Sequence, residues 1–533
     1  MSKTTEIPKE PSEFQDIFND TQGNILRGFN KPEVRFIFFE VPEFTPVIKK
    51  WFCKFADRIP STQDLLDARD VMKEKDRVKK EETETPEECT PRPSVIWDPN
   101  YGPRETWIHL SLTRNFIRKL NNPNITMPKS GNPPGFFGDN SDPFSVGMSG
   151  HKNLLGDLGK EDPDKWIEPF RGNTIDGVFI VGSDKESDAD IYTVNLIQEI
   201  SIIGIRCTGL EKGSAITNEE GKQIEHFGFR DGVSHPLIKG IDDEAINKLT
   251  ITKESNSFTP EPFILTGLTD KEEWANNGSF MVFRKLEQNV EGFWKFMNSV
   301  GKELNMQPET LASKFIGRWK SGAPLSKFPL GDPNQPENSD FNDFKYLKAE
   351  QAGVEVDDDK DGVKTPRFAH IRKVYPRDDG LSPNAADNLE DNRTHRILRR
   401  GIAYGPTREV NPDAERGLIF VCYQKDLSLQ FEFLMKAWAN NRTFPSVTPP
   451  LTQPLGHGID AIIGKTSNPD GSHKDDEVDN LVESSSSGLT TRPIPPPGIQ
   501  GLPGLKQWVF LRGGDYFFSP SLSALKDKLF TEP

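Results

Sequence analysis

Four cysteines in 533 residues, Cys53, Cys89, Cys207 and Cys422, stand far apart and form no CxxC pair. That spacing argues against a structural zinc site or a disulfide framework and makes a reducing compartment the default. Positive charge is in deficit: 66 Lys and Arg against 81 Asp and Glu leave a net charge of −15. Such a balance disfavours nucleic acid and anionic membranes, which are polyanions, but not small anions that answer to local charge. No apolar run approaches the roughly 20 residues of a spanning helix. The opening MSKTTEIPKEPSEFQD lacks the apolar stretch of a secretory signal, so the expectation is a cytoplasmic protein, with non-standard export left open. Tyrosine (7) and methionine (8) are scarce, and the 36 Phe are the main resource for a core. Gly and Pro at 43 each require many or long loops.

Residues 1–18 read as a loose arm. A strand is expected at 34–41, where β-branched and aromatic residues alternate with polar ones. A helix at 45–57 follows, with Thr45 as cap and Pro46 in its first turn. Residues 64–94 are dense in charge and read as an exposed insertion. A strand at 107–112 carries His109, Thr113 caps a short helix, and a Gly/Pro/Asn-rich loop covers 121–157. A strand at 176–182, a helix after it and a strand at 202–206 complete a β-α-β, loop, β-α-β order. This is the ferredoxin-like pattern, an antiparallel sheet with helices on one face.

The second half repeats the order loosely. Strands are expected at 278–284 and 417–423, helices from 290 and at 308–317, an amphipathic helix at 428–440, and a terminal hairpin of 507–511 and 516–519 around Arg512-Gly-Gly-Asp515. Residues 465–500 are Ser/Pro/Gly-rich and read as a loop. The whole is an α+β protein of two ferredoxin-like domains, 1–215 and 216–533.

Chemistry gathers at three places. His226-Phe-Gly-Phe-Arg-Asp-Gly-Val-Ser-His-Pro236 holds Gly228, Asp231 and Gly232, a glycine turn that can present one carboxylate on a fixed stem. The region between 321 and 418 has little periodicity but is rich in His, Arg and Gly, including Phe368-Ala-His370 and Arg399-Arg400-Gly. One His, one Arg and a turn-borne carboxylate suit a haem pocket: a neutral imidazole ligates iron, and an acid and a cation serve peroxide on the other face. Each element alone is more often a surface turn, a packed histidine or a solvated arginine. His395 competes with His370, but lies too near Arg399 in the chain to face it across a porphyrin. His151, His457 and His473 fall in loops and read as solvated.

The segments QGNILRGF, GFRDGVSHP, GSFMVFRKLEQ, GRWKSGAPL, FAHIRKVYPR, HRILRRGIAYGP, GLIFVCYQKDL and DYFFSPSLSAL, in order from Gln22 to Leu525, resemble the dye-decolourising peroxidases, in the larger subgroup that includes the fungal enzymes. The resemblance implies one haem b, held mainly by the second domain. It implies a peroxidase that reduces hydrogen peroxide and oxidises dyes and phenolics in one-electron steps through a ferryl intermediate. By position it makes His370 the axial iron ligand, Asp231 the proton shuttle and Arg399 the distal cation, with Arg400 as the neighbouring candidate. Leu418 and Phe420 become the peroxide-side lining, Gly232 and Val233 of the turn join the haem contacts, Arg372 becomes a propionate partner, and Tyr404 takes a position that carries a surface radical in some relatives. Glu432 is the candidate for orienting His370. A haem carrier or iron-release protein, and a haem-free interaction protein docking through 64–94, are the competing readings.

Overall fold

A computed structural model describes the chain from residue 13 to 530, apart from 71–96, 99–101, 104–105, 131–140, 267–272, 334–340, 381–384, 442–443, 445–458, 466–506 and a few shorter gaps. Most of the charged insertion, the Ser-rich segment, His457 and His473 therefore lie outside the described residues.

The first half supplies strands β1 (Glu33–Glu40), β2 (Thr106–Leu112), β3 (Gly177–Ser183) and β4 (Arg206–Ser214), with helices α1 (Pro46–Phe55), α2 (Arg114–Leu120) and α3 (Glu186–Ile202) between them. All pairings are antiparallel, in the order β4-β1-β3-β2. The caps act where their chemistry predicts. Thr45 Oγ1 accepts the Ile48 amide at 3.2 Å, and Thr113 Oγ1 accepts that of Asn115 at 3.2 Å. Helix α3 runs to Ile202, and the strand expected at 202–206 starts only at Arg206, because Gly204 turns the chain at φ +92°.

The second half repeats the topology with β5 (Ser279–Gln288), helices α4 (Val290–Leu304), α5 (Pro308–Ile316) and α6 (His370–Val374), the short strands β6 (Leu398–Arg399) and β7 (Ile402–Tyr404), then β8 (Gly417–Gln424) and β9 (Val509–Ser519). The order is β9-β5-β8 with β6 and β7 both on β8. Each half is a ferredoxin-like sheet, so the α+β architecture read from the sequence is the one observed. The segment at 428–440 is helical but wide, with π-type turns at Ser428–Glu432 and Leu434–Ala439.

Three expectations need correction. The terminal hairpin is one continuous strand, β9. Its glycines do not turn the chain but make room: a Cβ on Gly513 would lie 2.5 Å from the Phe170 ring, and one on Gly514 2.5 Å from the Phe283 carbonyl. The loop at 121–157 contains short helical turns at Pro143–Val146, Met148–His151 and Lys152–Leu155. The arm is ordered from Gln15, where a helical turn buries Phe18.

The two sheets meet at both edges. Phe518 of β9 pairs with Leu112 of β2. On the other side Lys285 reaches Glu211 at 3.0 Å, and a Cβ on Gly213 would meet Ile402 at 2.3 Å. Between the sheets lies a phenylalanine core: Phe283 packs edge-on against Phe36 (5.3 Å) and Phe38 (5.1 Å) and stacks on Phe170 (5.3 Å). The predicted consequence is that Phe283→Ala lowers unfolding free energy by about 3–5 kcal/mol, measurable as a shift of the urea midpoint at unchanged slope.

Candidate active site

The glycine turn is held from below. Gly228 and Gly232 adopt φ +92° and +79°, where a side chain would be strained. Glu225 accepts the amides of Phe227 (2.8 Å) and Phe229 (2.9 Å) and the side-chain amide of Gln288 (2.6 Å). Phe227 is buried and stacks on Phe293 at 4.4 Å. His226 donates from Nε2 to the Tyr404 carbonyl at 2.9 Å. The turn is thus pinned through residues 225, 226, 227 and 229, and Asp231 projects from its end. Asp231 Oδ1 accepts from its neighbour Gly232 N (2.7 Å) and from Arg399 Nη1 (3.1 Å). Both side chains keep some exposure, 22 % and 29 %.

Arg399 is placed by strand register. It lies opposite Cys422 across the β6–β8 pair, and side chains 418, 420 and 422 share one face of β8 by the period of two. On the other face Ile419 and Val421 are sealed against the core. Leu418 and Phe420 are only partly buried, although β8 is paired on both sides. An interior strand with accessible apolar side chains offers a face against which an apolar group can pack. Arg400 takes the opposite direction and donates to the carbonyls of Asn24, Ile25 and Leu26, ending the short helix Gly23–Leu26. Of the two adjacent arginines, Arg399 meets the carboxylate.

His370 opens α6. Its Nδ1 lies 2.8 Å from Asp460 Oδ2, and a carboxylate can only accept, so Nδ1 carries hydrogen and Nε2 faces away. Asp460 is fully buried. Burial works to raise its pKa, but His370 and the amides of Ile462 and Ile463 outweigh that and hold it below the usual carboxylate range. His370 remains 27 % exposed, and Nε2 has no hydrogen-bond partner among the described residues. The turn and this histidine rest on one hydrophobic cluster that contains Phe227, Phe229, Phe293, Phe315 and Phe368. Among the described residues no group of three or more His, Cys, Asp or Glu is placed to cage a metal ion. One imidazole with an outward Nε2, an open apolar strand face and an acid–guanidinium pair is the donor set of a porphyrin iron, and these residues fit that group.

Residues 224–446 match the family description "Dyp-type peroxidase, C-terminal". The whole chain is 31 % identical over 534 residues to the dye-decolorizing peroxidase msp1 of Mycetinis scorodonius, covering 96 % of this chain and 87 % of that protein. It belongs to the dye-decolourising peroxidase family. Two solved structures agree in fold: the dye-decolourising peroxidase of Auricularia auricula-judae (TM-score 0.68, 27 % identity, 96 % of this chain and 99 % of that one) and a mutant of the enzyme from Pleurotus ostreatus (TM-score 0.71, 27 % identity, 96 % and 99 %). The chain is accordingly a peroxidase of a haem-dependent family.

Several residues of this peroxidase lie elsewhere than expected. Arg372 is fully buried and its guanidinium is spent on Asp379 (2.7 and 2.9 Å), Asp359 and the Thr365 carbonyl, which leaves nothing for a propionate. Glu432 does not orient His370. It binds His151 and Tyr516 instead, and His151 is 3 % exposed rather than solvated. His395 stacks flat on Phe433 at 3.6 Å, a packed core histidine. Tyr404 is not at the surface: its ring is 5 % exposed, and its hydroxyl donates to Glu415 at 3.0 Å, which is itself exposed. Gly232 and Val233, expected as haem contacts, line a cavity of about 300 Å³ with His235, Leu398 and Arg400, which neither supports nor overturns that expectation. Sequence reasoning missed Asp460 and Glu225. Asp460 stands just before the Ser/Pro/Gly-rich segment with no motif around it, whereas Glu225 precedes the glycine turn by three residues and its spacing to Phe227 and Phe229 is that of a carboxylate closing a loop on its own amides.

Burial pushes the Glu225 carboxyl up to about 7, with Asp231 adding to the rise, against the amide bonds that oppose it. The folded state therefore holds its proton more tightly than the unfolded chain, and the associated stability is lost as pH climbs from about 4.5 through 7. Glu225→Gln is expected to flatten that decline, read from melting temperatures across pH 4.5–7.5.

Proposed function

We propose that this protein is a haem b peroxidase in which Asp231 moves the proton of hydrogen peroxide, Arg399 stabilises the charge that develops as the O–O bond breaks, and His370 would hold the iron. The Asp231–Arg399 pair carries this reading, since it stands on the strand face lined by Leu418 and Phe420. A protein that only stores or carries haem has no use for such a pair. The bound haem supplies the iron on which peroxide is reduced and the oxidising equivalents that donors consume.

His370 would hold the iron through Nε2; Asp460 keeps hydrogen on Nδ1, which fixes the ring and makes the other nitrogen a stronger donor. Asp231 takes the proton from the near oxygen of peroxide and returns it to the far one, which leaves as water. Arg399, tied to Asp231 and to the Ser234 carbonyl (3.4 Å), stays in place while negative charge builds. A carboxylate, ordinarily near pKa 3.9, still accepts a proton in mild acid where an imidazole would be charged, so turnover extends to the acid side. Leu418 and Phe420 keep the peroxide side apolar, and electrons from dyes or phenolics enter through residues nearer the surface. Tyr404 is one entry point: its hydroxyl is bonded to the exposed Glu415, and its main chain is bonded to His226 of the turn.

Stopped-flow mixing with peroxide should show Asp231→Asn and Arg399→Leu slowed about 10²–10⁴-fold in the first spectral change, the range for losing a positioned proton carrier or charge stabiliser. Wild-type rates in both would remove their roles. His370→Ala should purify without a Soret band. With Tyr404→Phe, dye oxidation should fall while the reaction with peroxide keeps its rate; unchanged dye oxidation would exclude this entry point.

A further inference from the structure

The residue that the sequence offered as a partner for His370 has another employment. Glu432 is 1 % exposed, and its Oε1 accepts two hydrogen bonds: from the Tyr516 hydroxyl at 2.8 Å and from His151 Nδ1 at 2.7 Å. His151 Nε2 lies 3.0 Å from the hydroxyl of Ser141, which is only half-buried. Tyr516 sits on β9 opposite Val282, and Val282 lies opposite Cys422, so Tyr516 stands on the same face of the sheet as Phe420. Phe431 bridges them, with ring centroids 6.1 Å from Phe420 and 6.3 Å from Tyr516. A chain of three aromatic rings thus leads from the pocket wall to a buried phenol, and a chain of proton-bearing groups leads from that phenol toward solvent.

We propose that Tyr516 is an oxidisable residue of this peroxidase, giving one electron toward the pocket through Phe431 and Phe420 and its phenolic proton to Glu432 Oε1. The inference rests on the haem peroxidase reading. The Tyr516 O–H bond breaks and an O–H bond forms on Glu432; the electron reduces, by one equivalent, the haem that peroxide has oxidised; a neutral tyrosyl radical remains. An electron from an organic donor, with the proton returning from Glu432, restores the phenol. The two losses belong together. Burial, and then the charge of Glu432, push the Tyr516 hydroxyl far above the usual range for tyrosine, so its proton does not leave by simple ionisation. A phenol cation in a buried site would be costly, and a carboxylate already within hydrogen-bond reach removes that cost. His151 steadies the carboxylate through Nδ1, and the proton rests on Glu432 until the phenol is restored.

The test is electron paramagnetic resonance of the haem-loaded protein frozen after one equivalent of peroxide, without donor. Wild type should give a tyrosyl signal that narrows when the protein is made with ring-deuterated tyrosine. In a Tyr404→Phe background, which removes the other proposed relay tyrosine, Tyr516→Phe should abolish it, and so should Glu432→Gln, which keeps the shape but cannot take the proton. Tyr423→Phe, on the opposite face of β8, should retain it. A wild-type signal indifferent to tyrosine deuteration, or a signal that survives when Tyr404→Phe and Tyr516→Phe are combined, overturns the proposal. If one variant fails to bind haem, the labelled wild type and the other variant still decide. A protein whose Soret band does not respond to peroxide would instead overturn the peroxidase reading itself.

Discussion

The alternation of one strand is the constraint on which the site depends. In β8 the odd-numbered residues Ile419 and Val421 are committed to the phenylalanine core between the sheets, so the even-numbered residues Leu418, Phe420 and Cys422 must face the other way. A slip of one residue would exchange the two sets, burying the pocket wall and exposing the core. The core therefore fixes the register, and the register fixes where Arg399 stands, because its partner across the ladder is Cys422. Gly417 protects this arrangement at the strand's start: a Cβ there would lie 1.9 Å from the Leu286 carbonyl, so the strand could not approach β5 as closely with any other residue.

Carboxylates beneath the site do the remaining positioning. Glu225 gathers the amides of the turn, and Asp460 gathers those of Ile462 and Ile463 while holding His370. Each acid, Asp460 buried and Glu225 half-buried, is made tolerable mainly by amide donors from its own loop, which turns an irregular segment into a rigid mount. A mobile turn would spread Asp231 over many positions; one whose backbone is pinned at 227 and 229 confines it.

The sequence disclosed what depends on local pattern. Alternating Phe and Val located β1, β5 and β8, Thr45 and Thr113 announced their helices, and the glycines around Asp231 announced the turn. What it concealed depends on partners distant in the chain. Gly513 and Gly514 read as a hairpin because nothing nearby shows that Phe170 and Phe283 will press against them. Arg372 resembled a pocket residue until Asp359 and Asp379 were seen to enclose it. Asp460 comes 90 residues after His370 and across an irregular stretch, beyond any periodic signal.

The Gln22-Gly-Asn24 segment has a consequence for how the two sheets relate. Gln22 joins β2 to the end of β9 by bonding the main chain of Leu110 and the carbonyl of Pro520, Asn24 donates to Tyr423 of β8 at 3.0 Å, and the carbonyls just after them receive Arg400. The first-half chain is thus a splint across the second half's catalytic strands. Severing it would take from the Arg400 guanidinium the carbonyls of residues 24–26 and from the Tyr423 hydroxyl its bond to Asn24, beside Arg399. The second half is for that reason no detachable cassette: inheritance, truncation or grafting would have to carry the opening segment along with it.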